Sequence, residues 1–225
     1  MRQIVLDTET TGLEPSQGHR VIEIGCLEIL NRRVSGNTYH VYLNPERDID
    51  AGAVQVHGLT REFLADKPRF GDVAEEFLAF VRDAELVIHN APFDVGFLNA
   101  ELERLTQGPI TRYCGVTDTL KLAKQLHPGQ KNNLDALCKR YAVDNSGRSF
   151  HGALLDAQLL AEVYLAMTRG QESLGIEVAP PPRGAGLAAA RRGPLRVIRA
   201  DETETAAHGA YLAGLAKECG EAPSW

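Results

Sequence analysis

Two carboxylates two residues apart, at the end of an apolar run, constrain this chain more than any other stretch. Ile4-Val5-Leu6 leads into Asp7-Thr8-Glu9, and Thr10-Thr11-Gly12 follows. In an extended strand alternate side chains share a face, so Asp7 and Glu9 project together. Their Cα atoms stand roughly 7 Å apart for a rise of about 3.3 Å per residue. Two anionic oxygen ligands on one strand suit a hard divalent cation such as Mg²⁺ or Mn²⁺. Taken alone, the pair is better explained as a strand ending in a solvated acidic turn, because acidic residues are mostly exposed. What decides between the two readings lies further along the chain.

The 225 residues allow one ordinary domain plus an appendage. No apolar run approaches the ~20 residues of a membrane span. The chain enters a strand at once, so a signal peptide is not expected and a cytoplasmic location is. Cys26, Cys114, Cys138 and Cys219 form no C-x-x-C pair and read as reduced thiols, neither a disulfide framework nor a zinc site. A net charge of −6 argues against a large electrostatic footprint on nucleic acid. A small site where metal ions supply the positive charge stays compatible with it.

Residues 4–7 are expected to form the first strand and Val21–Ile29 the second. Asn31 to Asn37, with Ser35-Gly36, reads as a turn, and Thr38–Leu43 as a third strand paired antiparallel. Phe70, Val73, Phe77, Phe80, Val81 and Ala84 recur at three and four residues and predict an amphipathic helix. Leu86-Val87-Ile88 is a short buried strand broken by His89-Asn90-Ala91-Pro92, and a helix begins at Asp94. Asp118 and Asn133 are placed to cap two further helices, and a long one runs from about Gly152 to Thr168. Strands first, then helices alternating with strands, give an α/β domain with a mixed central sheet. Tyr39, Phe63 and Phe77 read as core, and His89 as structural.

After Gly170 the composition changes. Residues 171–194, with Ala179-Pro180-Pro181-Pro182, read as a flexible linker. Residues 195–225 form a small terminal segment, with a strand at Leu195–Ile198 and a helix to about Glu218 opened by an Asp201/Glu204 capping box. That segment is too short to fold alone.

Asp94 falls at a strand-to-helix junction, a usual place for ligands in α/β sheets. His151 opens the last helix, with Asp156 one turn inside it. Asp156 is bracketed by Leu154, Leu155, Leu159 and Leu160, and a buried carboxylate needs a partner or a metal. Asp94 alone could be a first-turn residue favoured by the helix dipole, and His151 alone a satisfied cap-region histidine.

Together and in this order, Asp7-Thr8-Glu9-Thr10-Thr11-Gly12, Asn90-Ala91-Pro92-Phe93-Asp94 and His151-x₄-Asp156 resemble the three motifs of the DEDD exonucleases. A histidine five residues before the last aspartate, with Gly152 four before it, marks the histidine class. The likeness extends through Val56–Thr60, Val116–Asp118 and His151–Met167, and is strongest to the proofreading subunits of bacterial replicative polymerases. The loop Glu14–Arg20 is shorter than in some relatives.

That resemblance implies a ribonuclease H-like fold in which Asp7, Glu9, Asp94 and Asp156 hold two divalent metals, Mg²⁺ or Mn²⁺, with His151 as the general base. Hydrolysis would start at a single-stranded or mispaired 3′ end of DNA and release nucleoside 5′-monophosphates. The terminal nucleotide would meet Asp7, Glu9, Thr10, Thr11, Gly12, Leu13, Val56, His57, Phe93, His151 and Asp156. For His57, a loop histidine bonded to its own turn is an equal alternative. The tail would bind the polymerase's alpha subunit. Gln171-Glu172-Ser173-Leu174-Gly175-Ile176 resembles a sliding-clamp-binding peptide, with Ile176 replacing the aromatic anchor, so at most a weak clamp contact is expected. An RNA-trimming exonuclease of the same class is the alternative, disfavoured by the tethered tail. A non-catalytic scaffold is disfavoured by the intact acidic set.

Overall fold

The computed structural model describes residues 1–147, 150–169 and 199–219. Strand β1, Arg2–Thr10, is the axis of a five-stranded sheet. It pairs antiparallel with β2, Val21–Leu30, which pairs antiparallel with β3, Arg33–Tyr42. On its other side β1 pairs parallel with β4, Glu85–Ile88, and β4 parallel with β5, Gly115–Asp118. The order is β3-β2-β1-β4-β5, a mixed sheet as the sequence predicts.

Between β3 and β4 the chain forms α1 (Ala51–His57), α2 (Arg61–Leu64) and α3 (Phe70–Val81). Helix α4 (Ala91–Arg104) links β4 to β5, followed by α5 (Thr119–Leu126), α6 (Leu134–Tyr141) and α7 (Ala153–Met167). The expected caps are in place. Asp118 accepts the Leu120 N–H at 2.9 Å, and Asn133 the Ala136 N–H at 3.1 Å.

The sheet is covered on both faces. Ile4 and Leu6 point to one face, where Phe70 and Phe77 of α3 and Phe97 and Leu98 of α4 build the main core. Val5 points to the other, against Ala157, Leu160 and Ala161 of α7. Asp7 and Glu9 share Val5's parity and so lie on the α7 face. Helix α7 seats closely on β2 because Gly25, the register partner of Asp7, has no side chain. A Cβ there would meet the Ala153 carbonyl carbon and the Leu154 nitrogen 2.2 Å away.

Four local expectations differ from the structure. Strand β1 is longer than expected, paired with β2 as far as Thr10, and β3 is longer because Asn31 and Arg32 alone make the turn before it, both at positive φ (49° and 63°). Ser35-Gly36 lies inside β3, where Gly36 has φ +85° and the ladder slips between Leu27 and Ile29. Helix α4 starts at Ala91, with Pro92 in its first turn and Asp94 already helical. Proline fits that place because its missing N–H would have had no helical acceptor. Phe63 is 45% exposed, with its ring edge-on to Tyr42 and under Lys67 Nζ. Tyr39 and Phe77 are buried, as expected.

Cys26, Cys114 and Cys138 are buried free thiols. No helix among the described residues is long and apolar enough to cross a membrane.

The chain divides between Leu174 and Gly175 into two units. In the second, α8 spans Glu202–Cys219. Its capping box is formed as expected: Asp201 Oδ1 accepts from the Glu204 N–H (2.8 Å), and the Asp201 N–H donates to Glu204 Oε2 (3.0 Å). The expected linker, the clamp-like peptide Gln171–Ile176 and the strand at Leu195–Ile198 lie outside the described residues.

Gly25→Ala should destabilise the first unit by about 1–3 kcal/mol or more, the usual cost of overpacking. A urea melt indistinguishable from wild type would show that α7 does not bear on Gly25.

Candidate active site

Strand β4 stops pairing with β1 at Val5–Val87, yet β1 runs on to Thr10. The first turn of α4 stands where β4 has ended. Its N-cap, Asn90, is in the left-handed region (φ 66°), which asparagine tolerates better than most residues. Asp94, 3% exposed, takes both the backbone N–H (3.1 Å) and the hydroxyl (2.7 Å) of Thr8 on Oδ1. Burial pushes its carboxyl up to about 7, while the Thr8 bonds and its own backbone pull the other way.

From the opposite side, the N-terminus of α7 brings His151 and Asp156. His151 Nδ1 stands 3.2 Å from Asp156 Oδ2, and Asp156 is 3% exposed. Glu9, 8% exposed, offers a carboxylate oxygen to the same place. One ligand atom from each of Glu9, His151 and Asp156 lies within 4.8 Å of the other two. Asp7, Glu9, Asp94, His151 and Asp156 all line one cavity of about 250 Å³, with Thr8, His89, Asn90, Phe93 and Leu134.

Such an acidic set fits divalent cations. Its donors are hard oxygens with one imidazole. Several carboxylates buried together cannot all ionise cheaply without positive charge between them, and burial alone already raises the carboxyl of Asp94. Among the described residues no lysine or arginine lines the cavity.

A second cavity, of about 440 Å³, adjoins the first and shares Thr8, Glu9 and Phe93 with it. Thr10, Gly12, Leu13, Asp50, Gly52, Ala53, Val56 and His57 complete its wall. Its size is that of small-ligand pockets, and Leu13 (76% exposed) and Val56 (46%) stand at its surface. His57 is buried. Its Nδ1 accepts the Leu59 N–H at 2.9 Å, so a neutral ring carries its proton on Nε2, and burial lowers its pKa. His57 is thus bonded to its own turn and at the same time lines the cavity.

Thr11 lines neither cavity. It is fully buried, with its N–H on the Arg20 carbonyl (2.9 Å) and its carbonyl taking the Asp50 N–H (3.0 Å). Its hydroxyl accepts the Arg20 N–H and stands 3.0 Å from His19 Nδ1. The backbone of this loop is further tied down by Arg20, whose guanidinium donates twice to buried Glu101 of α4 (2.6 and 2.8 Å). His89 Nδ1 is 3.0 Å from the Thr119 hydroxyl, a structural contact at the rim of the acidic cavity.

Sequence reasoning missed Thr8, Asn90 and the α1 residues Gly52 and Ala53. Thr8 sits between the two acids of the first motif, where polarity alone gives it no signal. Helix α1 has only seven residues, too few for a periodicity to show.

Residues 4–164 match the family model described as exonuclease. The chain is also 52% identical over 231 residues to "DNA polymerase III subunit epsilon" of Salmonella typhimurium, covering 97% of this chain and 95% of the relative. It belongs to the exonuclease family, among the DNA polymerase III epsilon subunits. The Escherichia coli K12 epsilon subunit is 51% identical over the same span. In Haemophilus influenzae the relative is 56% identical over 178 residues, 77% of this chain and 70% of that one. Among solved structures, exonuclease X in complex with 5′-overhanging duplex DNA superposes with a TM-score of 0.59 at 26% identity, covering 74% of this chain and 90% of that one. The zinc-bound exonuclease I–ssDNA complex of E. coli reaches 0.66 at 19% identity, over 76% of this chain and 41% of that one, which shows the shared fold. This epsilon-type chain is a 3′→5′ exonuclease.

Thr8→Val keeps the side-chain shape but removes the hydroxyl from Asp94. Measured at pH 8, it should cost about 1.5–3 kcal/mol, the worth of a hydrogen bond to a charged group, and Thr8→Ser should recover most of that. Equal urea midpoints for Thr8→Val and wild type would show that the bond does not hold Asp94.

Proposed function

We propose that the chain removes mispaired nucleotides from DNA 3′ ends as the proofreading subunit of a bacterial replicative polymerase. One observation supports this most directly. Asp7, Glu9, Asp94, His151 and Asp156 line a single cavity that adjoins, at Thr8, Glu9 and Phe93, a second cavity of nucleotide size.

On this reading the terminal nucleoside lies in the larger cavity, between Phe93 and the Gly12–Leu13 and Val56–His57 walls, and its phosphate faces the acids. Two divalent ions, Mg²⁺ or Mn²⁺, held by Asp7, Glu9, Asp94 and Asp156, would supply the positive charge that a scissile phosphate needs there. His151 takes the proton of the attacking water. As the water's oxygen bonds to phosphorus, the bond to the 3′-oxygen of the preceding nucleotide breaks, and a nucleoside 5′-monophosphate leaves. Asp156, 3.2 Å from His151 Nδ1, orients the imidazole. Because only a nucleotide out of its stack fits the cavity, frayed or mispaired ends enter at lower cost.

The C-terminal segment is assigned to the polymerase alpha subunit. The basis is an 18-residue helix, α8, that carries Tyr211 at 65% exposure and half-exposed Leu212 and Leu215. Apolar side chains on a segment too small for its own core suit docking to a partner. The Gln171–Ile176 peptide is assigned a weak contact with the sliding clamp, on its sequence pattern alone.

The deciding experiment is a metal titration on a primer with a mispaired 3′ end, beside a fully paired one. Wild type should need a divalent cation and cut the mispaired end faster. Asp7→Asn and Glu9→Gln should be inactive while folded, because neutral amides bind hard cations poorly. His151→Ala should lose about 10²–10⁴-fold, the worth of a general acid–base group. Equal rates on both primers would count against proofreading, and near-wild-type cleavage by either acidic variant against the metal assignment.

Truncation after Gly170 should leave cleavage of free single strands nearly unchanged and abolish co-purification with the polymerase alpha subunit. Undiminished binding by the truncated protein would remove the tail from that role.

A further inference from the structure

The backbone of His151 lies outside the helix that carries its side-chain partner Asp156. Helix α7 begins at Ala153, and its N-cap, Gly152, is extended (φ −151°, ψ 130°) with no side-chain cap. The imidazole is therefore carried on chain outside the helix, with 46% of its side chain exposed. A group that must meet a water within hydrogen-bond distance needs other anchors.

The structure supplies two of them from one place, the C-terminal end of α1. The His151 N–H donates to the Val56 carbonyl at 3.0 Å. Next to it the Phe150 ring packs against Gly58, so that a Cβ on that glycine would stand 3.3 Å from Phe150 Cγ and Cδ1. Gly58 is the left-handed C-cap of α1 (φ 72°), and its N–H closes the helix on the Val54 carbonyl at 2.8 Å. Burial does not explain Phe150, since it remains 56% exposed. The same helix end is the wall of the nucleotide-sized cavity, through Val56 and His57.

We propose that Phe150, seated on Gly58, is a positioning residue that fastens His151 to the end of α1 and so couples the general base to the wall of the nucleotide cavity. Val56 joins the two directly, with its side chain on the cavity and its carbonyl on the His151 N–H. A nucleotide that fills the cavity and presses on α1 then also sets the imidazole. The proposal rests on His151 being the general base.

A competing use of an exposed aromatic beside a nuclease site is to stack on the second base of the strand. The two roles separate on a substrate with no second base. Full-length wild type and Phe150→Ala are compared on a single-stranded oligonucleotide and on thymidine 5′-monophosphate p-nitrophenyl ester. The variant should turn over both substrates about tenfold more slowly with little change in KM, since misplacing a catalytic group by about 1 Å can cost about 10²-fold. Phe150→Leu, which keeps an apolar contact with Gly58, should recover most of the rate. In a His151→Ala background, Phe150→Ala should cause no further loss, because a positioning residue acts only through the group it positions.

A loss confined to the oligonucleotide would assign Phe150 to base stacking and overturn the proposal. So would an additive loss in the His151→Ala background, or wild-type rates in Phe150→Ala. Failure of the underlying reading shows separately, as near-wild-type activity of His151→Ala alone.

Discussion

The two-residue period of β1 governs the rest of the molecule. Ile4 and Leu6 must face α3 and α4 for the main core to form, and that commits Val5, Asp7 and Glu9 to the opposite face. A one-residue slip in register would bury the acids in the phenylalanine core and turn the aliphatic side chains to the site. Core packing and site assembly are thus one constraint. Gly25 completes it from β2, since its missing side chain lets the backbone of α7 approach and brings Asp156 to Glu9.

Charge sets the second condition. Glu9, Asp94 and Asp156 are each less than a tenth exposed, and among the described residues no lysine or arginine lines their cavity. The protein lowers the cost with local donors, most clearly the two Thr8 bonds to Asp94, but burial still dominates there. An acidic chain with an acidic pocket meets a polyanionic substrate only if cations intervene. The net charge of −6 is therefore compatible with a nuclease whose electrostatics are confined to one small site.

The loop after β1 shows how rigidity is placed around that site. Thr11 is bound through its N–H, carbonyl and hydroxyl, and the Arg20–Glu101 pair ties the loop's far end to α4. Glu101 also accepts the Val21 N–H at 3.2 Å, so the buried carboxylate has three donors. Gly12 sits over His19, whose ring would lie 2.3 Å from a Cβ at that position. Leu13 and Val56 are left at the surface, where a nucleotide would cover them.

Much of the site was legible in the sequence because its signals are local. Strand parity pairs Asp7 with Glu9, helix periodicity places Asp156 one turn inside α7, and the caps at Asp118, Asn133 and Asp201 are short-range hydrogen bonds. Where neighbours distant in sequence decide, the sequence was silent or misleading. Ser35-Gly36 has turn chemistry, but strand pairing with β2 holds it in β3 and moves the turn to Asn31-Arg32. Phe63 has a core residue's composition, but α2 lies at the surface. Thr11 stands in a substrate motif, but its hydrogen bonds go to residues 9 and 39 positions away. The residues of the acidic site, their types and their strand and helix faces were set by the sequence alone. Their convergence on one cavity, the wall that α1 builds beside it and the hold of α1 on His151 were decided by tertiary structure, because they depend on contacts between segments far apart in the chain.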